Sequence, residues 1–171
     1  IPKDKDIAHI RAKAKLAKVF LVKEGGQIKS IILPVSGYGL WSTLYGFLSL
    51  DPDGQTVQSI NFYDQAETPG LGGEVVNPKW RALWKGKKVY AETEQPAMDK
   101  GTIEEADIGE PALALIKGTV DAEKQGSQYQ VDGLAGATLT SNGVTNLVRY
   151  WMSNEGFALY VSKVRVKRAK S

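Results

Sequence analysis

Residues 45–63 read Tyr45-Gly46-Phe47-Leu48-Ser49-Leu50-Asp51-Pro52-Asp53-Gly54-Gln55-Thr56-Val57-Gln58-Ser59-Ile60-Asn61-Phe62-Tyr63. The apolar run from Tyr45 to Leu50 enters Asp51-Pro52-Asp53-Gly54, where proline fixes φ and glycine permits a tight reversal. Thr56 to Tyr63, rich in β-branched and aromatic residues, returns as its partner. A second hairpin precedes it: Val19-Phe20-Leu21-Val22, a turn at Gly25-Gly26, and a return from Ile28 to Val35. The first third of the chain therefore reads as an antiparallel meander.

Downstream the texture changes. Glu67-Thr68-Pro69-Gly70-Leu71-Gly72-Gly73 is a glycine-rich loop with no room for regular structure. Asn77-Pro78 reads as a helix start ahead of Trp80 to Trp84, with Asn77 as cap and proline in the first turn. Lys88 to Ala91, Ala112 to Lys117 and Tyr129 to Val131 are short strands, the first two separated by an acidic loop from Glu92 to Glu110. Val144, Leu147, Val148, Trp151 and Met152 fall at i, i+3, i+4, i+7 and i+8, one buried stripe of a long helix. Thr140 or Ser141 can cap it, and Gly156 marks where the chain turns away. Ile1 to Lys18 reads as a solvated helix or arm, and Lys163 to Lys170 as a strand or solvated tail. The expected fold is one α+β domain over residues 19–171, mainly antiparallel sheet with a few helices, preceded by an arm at 1–18.

Composition narrows the chemistry. The 171 residues form one ordinary domain, and 42% hydrophobic with 24% charged residues is a globular profile. There is no cysteine, which removes thiol catalysis, thiolate metal sites and disulfides. The single histidine, His9, sits in a lysine-rich N-terminal stretch, so neither a histidine-based triad nor a multi-histidine metal site is expected within the chain. The net charge of +3 is mild, and the lysines are not interleaved with aromatics, so no nucleic-acid partner is expected. No dinucleotide fingerprint is present, so the chain is not expected to bind NADH itself.

Three patches interrupt the regular structure. Asp132-Gly133-Leu134-Ala135-Gly136-Ala137-Thr138 lies between a strand and the long helix. Its glycines let the backbone turn sharply, and the first helical amides favour a phosphate; a plain turn before a capped helix fits the spacing equally. Glu67 to Glu74 either brings backbone amides against a flat ligand or simply connects. Ser36-Gly37-Tyr38-Gly39-Leu40-Trp41-Ser42-Thr43 places aromatics beside glycines, where they stack on a planar ring or plug the core.

Taken in order, Pro34 to Thr43, Glu67 to Glu74 and Asp132 to Ser141 resemble the C-subunit family of the bacterial sodium-translocating NADH:quinone oxidoreductases, over nearly the whole chain from about Val19. The G subunits of Rnf complexes, which pass electrons between ferredoxin and NAD, share two of these motifs and are the nearer alternative; a non-enzymatic binding module is the distant one. The resemblance implies an electron-carrying subunit of a membrane-bound oxidoreductase. It implies one FMN, joined through its phosphate to the hydroxyl of Thr138 by a separate flavin transferase. It implies further membrane subunits as partners, an N-terminal anchor, and a domain on the periplasmic side of the bacterial inner membrane. Asp132, Gly133, Ala135, Gly136, Ala137 and Thr140 would surround the linkage. Tyr38, Gly39, Trp41, Glu67, Thr68, Gly70, Leu71 and Gly72 would flank the flavin ring, with Lys117 offsetting its negative charge. No residue of the chain is expected to act as a catalytic acid, base or metal ligand. Two positions depart from the family pattern: Ala135 stands where a serine or threonine is usual, and Gln65 where many members carry histidine.

Overall fold

The computed structural model describes residues 1–91 and 109–169. The meander is present: β1 (Phe20–Glu24), β2 (Gln27–Tyr38), β3 (Thr43–Leu50) and β4 (Val57–Asp64) form a four-stranded antiparallel sheet in sequence order. Gly25 and Gly26, at φ 57° and 77°, make the first reversal, a backbone path open to glycine without strain. At the second reversal Asp53 Oδ1 accepts from the amides of Gln55 and Thr56 at 3.0 and 2.9 Å, and Thr56 Oγ1 donates to Oδ2. Burial pushes the Asp53 carboxyl up, but these hydrogen bonds and the Lys88 charge outweigh it and hold it below its ordinary value.

The sheet has two unlike faces. Ile31, Leu33 and Val35 of β2 point inward with Leu44, Leu48, Leu50, Val57, Ile60 and Phe62, all buried. The outer face carries an aromatic row in which Phe47 meets Phe20 at 6.3 Å and Tyr63 at 5.4 Å between ring centroids. β1 pairs with β2 only up to Ile32, because Pro34 has no N–H to offer beyond it.

After a 3-10 turn at Gly72–Val76, α1 (Pro78–Ala82) starts as expected, with the Asn77 side chain accepting from Lys79 N–H at 2.9 Å. α1 places Trp80 and the fully buried Trp84 in the core. β5 (Ala114–Ile116) and β6 (Gln130–Asp132) then pair in parallel, in a separate two-stranded sheet. Lys88 to Ala91 contributes isolated bridges, Thr56 to Lys88 and Tyr90 to Pro111, rather than a strand. The acidic loop from Glu92 to Glu110 falls almost entirely outside the described residues.

α2 (Thr138–Trp151) lies across β2 and against β5. Val144, Leu147, Val148 and Met152 are buried as its periodicity predicts, and Trp151 is half-buried. Three expectations are corrected. The helix begins at Thr138, so Thr140 and Ser141 lie inside it and cap nothing; its N-cap is Ala137. Lys163 to Lys170 is neither strand nor tail, since α3 spans Ala158–Ala169 and buries Ala158 and Val161. The arm forms no helix: Leu16 is exposed, while Asp6 and Ala8 are buried against the domain.

Candidate functional site

The site grows from the loop between β6 and α2. Gly133 sits so close to the Ile116 carbonyl that any side chain there would collide with it. Leu134 N–H donates to Ser141 Oγ at 2.9 Å, and the same hydroxyl donates to Ala137 O at 3.0 Å. Ser141 thereby ties the loop down onto the first turn of the helix. Gly136 takes φ 69°, a left-handed bend that aims the chain into α2. Thr138 emerges as the first residue of that helix, exposed, with no side chain capping the helix end among the described residues. The opening amides of the fourteen-residue helix lack intrahelical partners, and the positive end of its dipole lies beside Thr138.

Thr138 opens on a cleft of about 520 Å³. Leu115, Ile116 and Leu134 give it an apolar side, while Lys117, Asp132 and Asn142 give it a polar one. Asp132 is fixed from both ends: its Oδ1 accepts from Val120 N–H at 2.8 Å, and its carbonyl accepts from Trp80 Nε1 at 2.9 Å. Gly133, Ala135 and Gly136 line the same cleft. Ala137 and Thr140 do not: both are buried, Thr140 to 1% exposure. Of the hydroxyls at Thr138, Thr140 and Ser141, only that of Thr138 belongs to an exposed residue.

The other two motifs reach the same helix through glycines. A methyl at Gly72 would stand 2.5 Å from Thr140 Oγ1, and one at Gly136 would stand 3.1 Å from Leu71 Cδ2. Gly143, on the next turn of α2, packs directly on the backbone of Tyr38 and Gly39. Glu67 joins the two loops: its Oε1 accepts from Leu40 N–H at 2.6 Å and its Oε2 from Trp41 N–H at 2.9 Å. Its carboxylate is 5% exposed and engaged on both oxygens, so Glu67 is a clamp that sets the place of Trp41. Gly39 has room for no side chain because Glu67 fills that space. Gln65 accepts from Glu67 N–H at 2.7 Å and steadies the clamp.

Thr68 and Gly70 lie exposed on the loop, with Thr68 O accepting from Leu71 and Gly73 N–H at 3.1 and 2.9 Å. Trp41 is 67% exposed and Leu71 42%. Leu139, next to Thr138, is 58% exposed and belongs with them, although nothing but its place in the motif singled it out in the sequence. Asn142 and Thr119 in the cleft wall were likewise missed; Asn142 follows only once the helix is known to start at Thr138. Tyr38 lines a cavity formed by the N-terminal arm. Among the described residues no cluster of carboxylates or imidazoles could hold a metal ion.

A glycine-opened helix start with one exposed hydroxyl, beside a cleft and exposed apolar side chains, suits a phosphate joined to a planar ring. Residues 39–153 match the FMN-binding domain family, and the chain belongs to that family. It is 47% identical over 165 residues to the C-subunit of the Na(+)-translocating NADH-quinone reductase of Pseudomonas aeruginosa, covering 96% of this chain and 58% of that protein. The corresponding protein of Yersinia pestis is 45% identical over 161 residues, covering 94% of this chain and 54% of its own length. The chain thus spans little more than half the length of these curated relatives. Among solved structures, NqrC of Shewanella oneidensis superposes with a TM-score of 0.79 at 34% identity, covering 96% of this chain and 67% of that one.

Proposed function

We propose that this chain is an electron-carrying domain of a sodium-translocating NADH:quinone oxidoreductase, and that it holds FMN by a phosphoester to Thr138 Oγ. The observation that carries the reading is the exposed Thr138 hydroxyl at the uncapped start of α2, inside a chain of the FMN-binding domain family. The residues fit the group. The opening amides of α2 and the Lys117 ammonium suit the phosphate, and Trp41, Leu71 and Leu139 offer exposed apolar surface to a flat ring. FMN, when bound, supplies reversible electron transfer at a potential tuned by its surroundings.

The chain's own work is to position. Glu67 holds Trp41 in place, Ser141 holds the loop before Thr138, and the glycines let both loops approach the helix. A threonine hydroxyl is a weak nucleophile, and no basic side chain is hydrogen-bonded to Thr138 among the described residues. Its attachment therefore calls for a flavin transferase that removes the proton from Oγ as the bond to phosphorus forms. The donor is an activated flavin phosphoanhydride, whose P–O–P bond breaks and whose other phosphate half leaves with the electron pair. Ala135 lines the cleft without a hydroxyl, so the phosphate depends on backbone amides and Lys117 there. Among the described residues no helix is long and apolar enough to cross a membrane. Likeness to the relatives supports other membrane subunits as partners and a periplasmic placement for this domain.

The test is intact mass after co-expression with a flavin transferase. A covalent increment of one FMN that survives denaturation, and is lost in Thr138→Ala but kept in Thr138→Ser, is the expected result. An increment that persists in Thr138→Ala would overturn the assignment of the linkage.

A further inference from the structure

The N-terminal arm builds a second cavity, of about 850 Å³, which shares no lining residue with the Thr138 cleft. It is lined by Lys3, His9 and Arg11, by one acidic residue, Asp6, and by Ile10, Tyr38 and Thr43. The backbone is bent to present them. His9 and Arg11 sit at φ 53° and 65°, a left-handed region that strains a residue with a side chain. Glycine would relieve the strain at either position, yet the sequence keeps an imidazole and a guanidinium there; strain held in this way points to a use for the side chains.

Asp6 enforces the bend. Its buried carboxylate accepts from Ile10 N–H at 2.9 Å and from Arg11 N–H at 2.7 Å. Tyr38 N–H donates to Ala8 O at 2.9 Å and docks the arm on β2. The Asp6 charge is thus turned onto its own backbone. The ion pairs Lys5–Glu155, Lys88–Asp53 and Lys124–Asp121 engage neither Lys3 nor Arg11.

We propose that this cavity binds an organic phosphate. Its oxyanion is held by Lys3, His9 and Arg11, with the Tyr38 and Thr43 hydroxyls as further donors, and its body lies against Ile10 and the Tyr38 ring. The guanidinium fork and neighbouring cations suit a tetrahedral oxyanion. The volume suits a molecule larger than bare phosphate, within the range of ordinary ligand cavities. A soluble phosphate ester and the head group of an anionic phospholipid share this chemistry. The proposal does not rest on the flavin reading, since the two cavities have no lining residue in common.

The experiment titrates the isotope-labelled chain with phenyl phosphate, followed by amide shifts, and separately co-sediments it with phosphatidylglycerol or phosphatidylcholine vesicles. The variants are Lys3→Ala and Arg11→Gly; the latter removes the guanidinium while suiting the left-handed backbone, so its melting temperature should equal or exceed that of the parent. Shifts at residues 6–11 and Tyr38 that weaken about tenfold or more in each variant are expected. Binding to phosphatidylglycerol alone, lost in both variants, supports the site and names the lipid as its source. No binding of either probe, or binding that both variants retain, would overturn the proposal.

Discussion

In the meander, contacts run between neighbours in sequence: each strand pairs with the next, and alternate side chains fill one face. Around the start of α2 they run between distant segments. Glu67 reaches Leu40 and Trp41 across 27 and 26 residues, and Trp80 reaches Asp132 across 52. The first region is held by apolar side chains, the second by glycines that admit backbone to backbone and by buried polar clamps. The candidate site lies in the second, where several separate segments can each contribute one group. A sheet of local pairings gives stiffness; convergence of remote loops gives a constellation.

That contrast can be broken at several points. Leu48 is fully buried in the sheet, and Leu48→Ala should lower the unfolding free energy by about 4 kcal/mol, read from the urea midpoint. A loss near zero would mean that the sheet repacks freely. Gly143→Ala forces a methyl onto the Tyr38 and Gly39 backbone and should cost about 2–3 kcal/mol. Hydrogen exchange should rise at residues 36–43 and in the first turns of α2 while the β3–β4 pairing stays protected. Glu67→Gln sets an amide NH2 against one of the Leu40 and Trp41 donors and should cost about 2 kcal/mol, with a shift in Trp41 emission. Unchanged emission would separate the clamp from the placement of Trp41.

Smaller effects sharpen the picture. The buried Tyr150 hydroxyl has no partner among the described residues, so Tyr150→Phe should be neutral or stabilising by up to about 1 kcal/mol. Burial, followed by the Glu155 and Asp6 charges, pushes this phenol up to about 12, and burial also raises Tyr90. With the folded value above the unfolded one near 10, the folded chain holds the proton longer. The phenol's contribution is complete below about pH 10 and is lost as pH rises toward 12. Alkaline denaturation midpoints should therefore move upward in Tyr150→Phe. Thr138→Ala, at an exposed first helical residue, should change the stability of the flavin-free chain by under about 0.5 kcal/mol while abolishing covalent attachment.

The meander was legible because alternation and turn chemistry are local signals: Gly25-Gly26 and Asp51 to Gly54 announce reversals whatever surrounds them. α3 was not, because Val164 and Val166 alternate with charges at period two, while its helical signal, Ala158, Val161 and Val164, needs the core to be seen. The arm misled in the opposite direction: Ile7 and Ile10 suggest a helical face, but the Asp6 carboxylate takes the amides of Ile10 and Arg11 for itself. At the site, the motif containing Thr138 was readable, whereas the start of α2 was displaced by three or four residues. Ser141 looked like a cap because a serine three residues into a helix and one at its edge share the same sequence.

β2 is twelve residues long, but β1 accompanies it only as far as Ile32. The remaining stretch would present free peptide groups to any passing chain, the arrangement from which sheets grow between molecules. Here Trp151 Nε1 takes Ser36 O at 2.7 Å, Ala8 O takes Tyr38 N–H at 2.9 Å, and Pro34 offers nothing to bond. The arm and one indole therefore act as guards against self-association. Deleting residues 1–10 should leave the monomer folded yet make it dimerise or aggregate with rising concentration.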